Sequence, residues 1–111
     1  MCDRSFKKED RIQRHSDFKT IYNKGEKSDT EHFLVLINPN GLGRRRLGVT
    51  VSKKVGTAVH RNQVKRLVRE YFRLQKAQFP QSSDILFVAK AGAHKITYRA
   101  LCEELNALFM D

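Results

Sequence analysis

Gly48-Val49-Thr50-Val51-Ser52-Lys53-Lys54-Val55-Gly56-Thr57-Ala58-Val59-His60-Arg61-Asn62-Gln63-Val64-Lys65-Arg66-Leu67-Val68-Arg69-Glu70 changes its period partway along, and that change decides the fold. With the two residues before it, the stretch opens as a strand over 46–52. Leu47, Val49 and Val51 fall on one face; Gly48, Thr50 and Ser52 occupy the other. From about Thr57 to about Lys76 the period becomes helical, with Val64, Leu67, Val68, Tyr71 and Phe72 recurring at one-turn spacing. A strand feeding an amphipathic helix sets a mixed α and β architecture.

The rest of the chain fits around this unit. Upstream, EHFLVLI (31–37) predicts a strand that is apolar on both faces over most of its length, ended by the turn signal Asn38-Pro39-Asn40-Gly41. Before it, Ser16 is placed to cap a short helix carrying Phe18, Ile21 and Tyr22, with Gly25 as its stop. A basic segment, 4–14, precedes that helix. Downstream, Pro80 breaks the chain and DILFVAK (84–90) predicts a buried strand. Thr97 is placed to cap a last helix with Tyr98, Leu101, Leu105, Leu108 and Phe109 on its core face. The order is α-β-β-α-β-α. It predicts an α+β fold, a two-layer sandwich with helices covering one face of a small sheet. The 111 residues form one domain, 1–111, since so short a chain cannot fill two ordinary cores.

Charge narrows the function. The formal net charge is +10, more than solubility requires, and it implies a polyanionic partner. Eleven of the 22 Lys and Arg residues lie between Arg44 and Lys76, against the single acid Glu70. The basic surface is therefore local. No segment approaches the roughly 18 apolar residues of a membrane span. Cys2 and Cys102 match no metal-ligand spacing and are expected to be reduced thiols in a cytoplasmic protein. His15, His32, His60 and His94 are scattered, with no Ser or Cys partner at a recognisable spacing, and Asp17, Glu70 and Asp84 are isolated. No catalytic residue, metal ligand or small-molecule substrate is expected of this chain.

On the 57–76 helix, Arg61, Asn62, Lys65, Arg66, Arg69 and Arg73 fall within an arc of roughly 140° opposite the apolar side. Like charges so arranged repel one another, and a phosphate backbone relieves the repulsion. Guanidinium groups take phosphates bidentately, and Asn62 adds a hydrogen-bonding group. Lys53 and Lys54 extend the patch, and Gly56 leaves room for close backbone approach. A solvated basic face would alternate its signs, which this one does not. A ribosomal-type RNA-binder has the same charge and the same helix without any tie to cleavage. A major-groove DNA reader would need more base-reading residues and a preceding helix.

The segment from Gly48 to Gly56, followed by Ala58-Val59-His60-Arg61-Asn62 and Lys65-Arg66-Leu67-Val68-Arg69-Glu70, resembles the "RNR" signature of the bacterial ribonuclease P protein family. Asp17-Phe18, Ile21-Tyr22 and Gly25 resemble that family's N-terminal helix, and residues 84–90 its third strand. The resemblance covers nearly the whole chain. It implies an RNA-binding subunit of an endonuclease whose catalyst is a large RNA using magnesium, and which removes the 5′ leader from precursor tRNA. It implies that Lys53, Lys54, Arg61, Asn62, Lys65, Arg66 and Arg69 contact the catalytic RNA. Phe18, Tyr22, Phe33 and Leu36 would line a cleft for the single-stranded leader. Leu36 stands where some relatives carry an aromatic. A left-handed crossover between the second and third strands is also implied, against the generic right-handed rule.

Overall fold

The computed structural model describes residues 11–12 and 15–109, the last of these by its backbone alone. The elements are α1 (His15–Lys24), β1 (Glu26–Asp29), β2 (Phe33–Pro39), β3 (Arg46–Thr50), α2 (Ala58–Leu74), β4 (Ser83–Ala89) and α3 (Tyr98–Phe109). The strands form one sheet in the order β1-β2-β4-β3. The inner strand β4 is antiparallel to β2 and parallel to β3. β3, α2 and β4 thus make a crossover unit whose two strands are neighbours.

The α+β class and the expected order hold, with one strand added. β1, Glu-Lys-Ser-Asp, pairs antiparallel with β2 from Glu26 opposite Ile37 to Asp29 opposite Leu34. It carries no apolar residue, so hydrophobic periodicity could not reveal it. A short, charged strand is a common way to finish a sheet edge. Thr30 closes the connecting turn: its hydroxyl donates to the Phe33 carbonyl and accepts from the Phe33 amide.

Both faces of the sheet are covered. Phe33, Val35, Ile85 and Phe87 pack with α2 and α3 in the larger cluster, which includes Val64, Val68, Tyr71, Phe72, Leu101 and Leu105. The alternate residues Leu36 and Leu86 pack with Ile12 and Ile21 in a smaller cluster that Phe18, Leu34 and Val88 border. The three helices therefore do not share one face; α1 lies on the other. β2 is apolar on both sides because both sides are buried.

Local signals set the boundaries. Thr57 caps α2, its hydroxyl accepting from the His60 amide at 3.3 Å, and Thr97 accepts from Ala100 at 3.1 Å. α1 begins at His15, so Ser16 lies in the first turn instead of capping it; residue 14 is outside the described residues. Gly25 ends α1 as expected, its amide donating to Ile21. The basic segment 4–14 lies outside the described residues except for Arg11 and Ile12. Ile12 donates to the Leu47 carbonyl at 2.9 Å and Arg11 bridges to Leu47, so these two residues run beside β3. Cys2 and the Phe109 side chain lie outside the described residues, and Cys102 is a free thiol.

A buried ion pair fixes how the strands enter. Arg46 and Asp84 face each other across β3 and β4. The guanidinium donates to both Asp84 oxygens at 2.7 Å, and Asn40 donates to Oδ1 at 2.8 Å. Arg46 also reaches Asp17 of α1 at 3.5 Å, which ties the helix to the sheet edge.

Candidate nucleic-acid interface

α2 buries Val64, Val68, Tyr71 and Phe72 and turns its cations outward. Asn62 and Arg66 are exposed, while Arg61, Lys65 and Arg69 are half-buried. Lys53 and Lys54 stand exposed on the turn before the helix, where the Ser52 hydroxyl accepts from the Lys54 amide. All seven expected residues therefore belong to one turn-and-helix unit. Arg73 shares the arc, but its charge is already paired: it donates to both oxygens of Glu70 at 3.3 and 2.8 Å.

Arg69 is under electrostatic load. Burial, and then the charge of Arg11, lower the Arg69 pKa. Arg61 Nε is buried without a hydrogen-bond partner among the described residues. An anion arriving here offsets repulsion and supplies hydrogen bonds that the protein withholds. Arg11 was not singled out by the sequence reading. It joins the surface because it bridges to Leu47 of β3, a pairing too short to leave a pattern.

Gly56 does not leave space for a ligand. Its φ is +150°, and a Cβ there would lie 2.5 Å from His60 Nδ1. The space is taken by the His60 ring, which stacks on His94 at 4.2 Å. His60 is thus half-buried and paired, not a lone surface histidine. Its partner is remote in sequence, and no local signal marks the pair.

The second candidate surface is the sheet face under α1. Two rows cross it in register. Lys27, Leu36, Leu86 and Gly48 form the first; Asp29, Leu34, Val88 and Thr50 form the second. α1 covers the first row. Phe18 lies over Gly48 so closely that a Cβ there would meet its ring at 2.8 Å. Leu36 is fully buried beneath the helix. The second row is open: Leu34 and Val88 are half-buried and Thr50 is exposed. Beyond Thr50 the chain leads to Lys53 and Lys54.

Phe33 must be withdrawn from this cleft. It is wholly buried on the opposite face, in edge contact with Phe87 at 5.8 Å between ring centres. Successive strand residues face opposite sides, and a strand apolar on both sides gives no clue to which parity faces α1. The expected aromatic pair on α1 also divides. Phe18 packs inward, while Tyr22 is 48% exposed with Lys27 Nζ 5.4 Å from its ring centre. Lys27, on the unanticipated β1, is thereby added to this face.

The chain matches the family model described as Ribonuclease P over residues 6–111. It is 43% identical over 104 residues to the ribonuclease P protein component of Syntrophus aciditrophicus, covering 94% of this chain and 87% of that protein. With the protein component of Citrifermentans bemidjiense it is 42% identical over 109 residues, covering 98% and 93%. Its fold is similar to the Staphylococcus aureus RNase P protein, with a TM-score of 0.80, 35% identity and coverage of 88% and 90%. The Thermotoga maritima RNase P protein gives 0.80 at 33% identity, covering 89% and 94%.

Proposed function

The chain belongs to the ribonuclease P protein family, and on that premise we propose how its two surfaces divide the work of the ribonucleoprotein. α2 and the turn before it, through Lys53, Lys54, Arg61, Asn62, Lys65, Arg66 and Arg69, dock on the catalytic RNA. The face beside α1 holds the single-stranded leader of precursor tRNA, with Tyr22 as a stacking platform, Lys27 near its phosphates and Leu34, Val88 and Thr50 as the floor. The observation that carries the docking assignment is the crowding of cations on one side of α2, with Arg61 Nε buried and unpartnered among the described residues.

Phosphodiester hydrolysis falls to the RNA subunit. Magnesium belongs to that RNA: guanidinium and ammonium groups on the docking surface are not ligands for a hard cation. The chain's part is to neutralise phosphates and to orient the leader. No helix among the described residues is long and apolar enough to cross a membrane, and the proposed place of work is the cytoplasm.

Reconstitution tests the reading. Protein alone is expected to leave precursor tRNA intact, and protein with a cognate ribonuclease P RNA to release the leader and favour precursor over mature tRNA. Cleavage by RNA-free protein, or preferential binding of ribosomal RNA, would overturn it.

The leader surface has its own test. Tyr22→Leu keeps apolar bulk while removing the ring, and each base stacked on an aromatic contributes about 1–3 kcal/mol. Precursor-tRNA binding by the holoenzyme is expected to weaken by up to about that amount, with mature-tRNA binding and thermal stability nearly unchanged. Equal losses for both tRNA forms would remove Tyr22 from the leader site.

A further inference from the structure

Glu31, His32 and Glu104 meet where β1 turns into β2, and one ligand atom from each lies within 4.8 Å of the others. Glu104, on α3, holds His32 twice. One carboxylate oxygen accepts from the His32 backbone amide at 2.8 Å, and the other lies 2.6 Å from Nδ1. With one oxygen on the backbone amide and the other on the ring, the Glu104 side chain is placed to accept the Nδ1 proton as its hydrogen bond. Nε2 is left to face Glu31, 3.9 Å from its carboxylate.

This arrangement resembles that of a ligating histidine with its outer partner in place. A histidine that ligates a metal almost always donates its other N–H to a carboxylate, which fixes the tautomer and aims the ring. Here that outer contact is already made. Zinc ligands at about 2.0–2.1 Å stand roughly 3.4 Å apart in a tetrahedral site, so Glu31 need move only slightly. Its side chain is 82% exposed, free to do so and open to water as further ligands. Acids outnumber cations here, although the chain as a whole carries +10. Asp29, Glu31 and Glu104 gather here, and Lys90 pairs with Asp29 and donates to the Thr30 carbonyl.

We propose that His32 Nε2 and Glu31 bind a divalent transition ion of the zinc type, with Glu104 as the residue that positions the imidazole. Imidazole selects such an ion over magnesium, which prefers an all-oxygen shell. The site borders the leader face at Asp29, opposite Leu34, but neither proposed ligand belongs to an RNA-facing surface, and the proposal does not depend on the function assigned to those surfaces. Binding to the folded state alone raises stability by mass action, here by tying the β1–β2 turn to α3.

The test is zinc titrated into the full-length protein, read by NMR of the histidine imidazoles and by thermal melting. The first equivalent is expected to move the His32 signals ahead of those of His15, His60 and His94 and to raise Tm; magnesium is expected to do neither. Glu104→Gln should weaken zinc binding about 10–100-fold, the usual effect of removing an outer partner. Glu31→Gln removes an anionic oxygen ligand and should weaken zinc binding while leaving the zinc-free Tm unchanged, so a fold defect cannot imitate the result. The proposal fails if His60 and His94 respond first, if His32 does not respond, or if Glu31→Gln binds zinc as the parent does.

Discussion

Replacing Asp84 with alanine is expected to destabilise the protein by about 3–5 kcal/mol, the usual result of breaking a buried ion pair from one side. Asp84 is 4% exposed and accepts three hydrogen bonds, two from Arg46 and one from Asn40. Its loss leaves the Arg46 guanidinium largely buried, with Asp17 at 3.5 Å as its remaining acid. The pair's own attraction is not the measure of this effect. Most of the penalty comes from a charge that has lost its solvent and its counterion together. Replacing both Arg46 and Asp84 with apolar residues of similar volume is therefore expected to cost less than Asp84→Ala alone. Urea denaturation of the single and double variants checks both statements. A loss below about 1 kcal/mol for Asp84→Ala would mean that Arg46 is re-solvated, contrary to its place between β3, β4 and α1.

Asp84 also illustrates what a sequence can and cannot disclose. Read alone, Asp17 and Asp84 are isolated acids, and Arg46 is one of three arginines in a row. Their convergence depends on β3 and β4 being parallel neighbours, a long-range fact with no local trace. The α2 stripe was legible because helical period links residues three and four apart; Arg61, Asn62, Lys65, Arg66 and Arg69, proposed to face the RNA, follow from that geometry, whereas Lys53 and Lys54 precede the helix. Thr57, Thr97 and Gly25 were legible as punctuation for the same local reason. β1 was not, since its four residues carry no apolar side chain to alternate. Phe33 was assigned to the wrong face because a strand buried on both sides erases the parity signal. The His60–His94 stack and the His32–Glu104 contact unite residues far apart in the chain, so they appear only once the sheet has been assembled.

Arg61→Ala combined with Arg66→Ala is expected to weaken binding to the catalytic RNA by about two orders of magnitude or more. Hydrogen bonds to charged groups contribute about 1.5–3 kcal/mol each, and about 1.4 kcal/mol is a factor of ten. The salt dependence should change as well. Each phosphate neutralised adds about −0.9 to the slope of log affinity against log salt for duplexes, so losing two contacts should flatten the slope by about two. Arg66 is exposed and Arg61 half-buried, and neither projects into the core, so melting should be little changed. Arg73 supplies the internal control. It lies on the same arc, yet Glu70 already holds its guanidinium, and an anion must displace that carboxylate to gain it. Arg73→Ala should therefore alter affinity and salt slope much less than Arg66→Ala, although both remove one positive charge. Equal effects from the two would mean that RNA responds to the total charge of α2 and not to its individual side chains. Unfolding of the double variant would instead make the stripe structural and place the docking surface elsewhere.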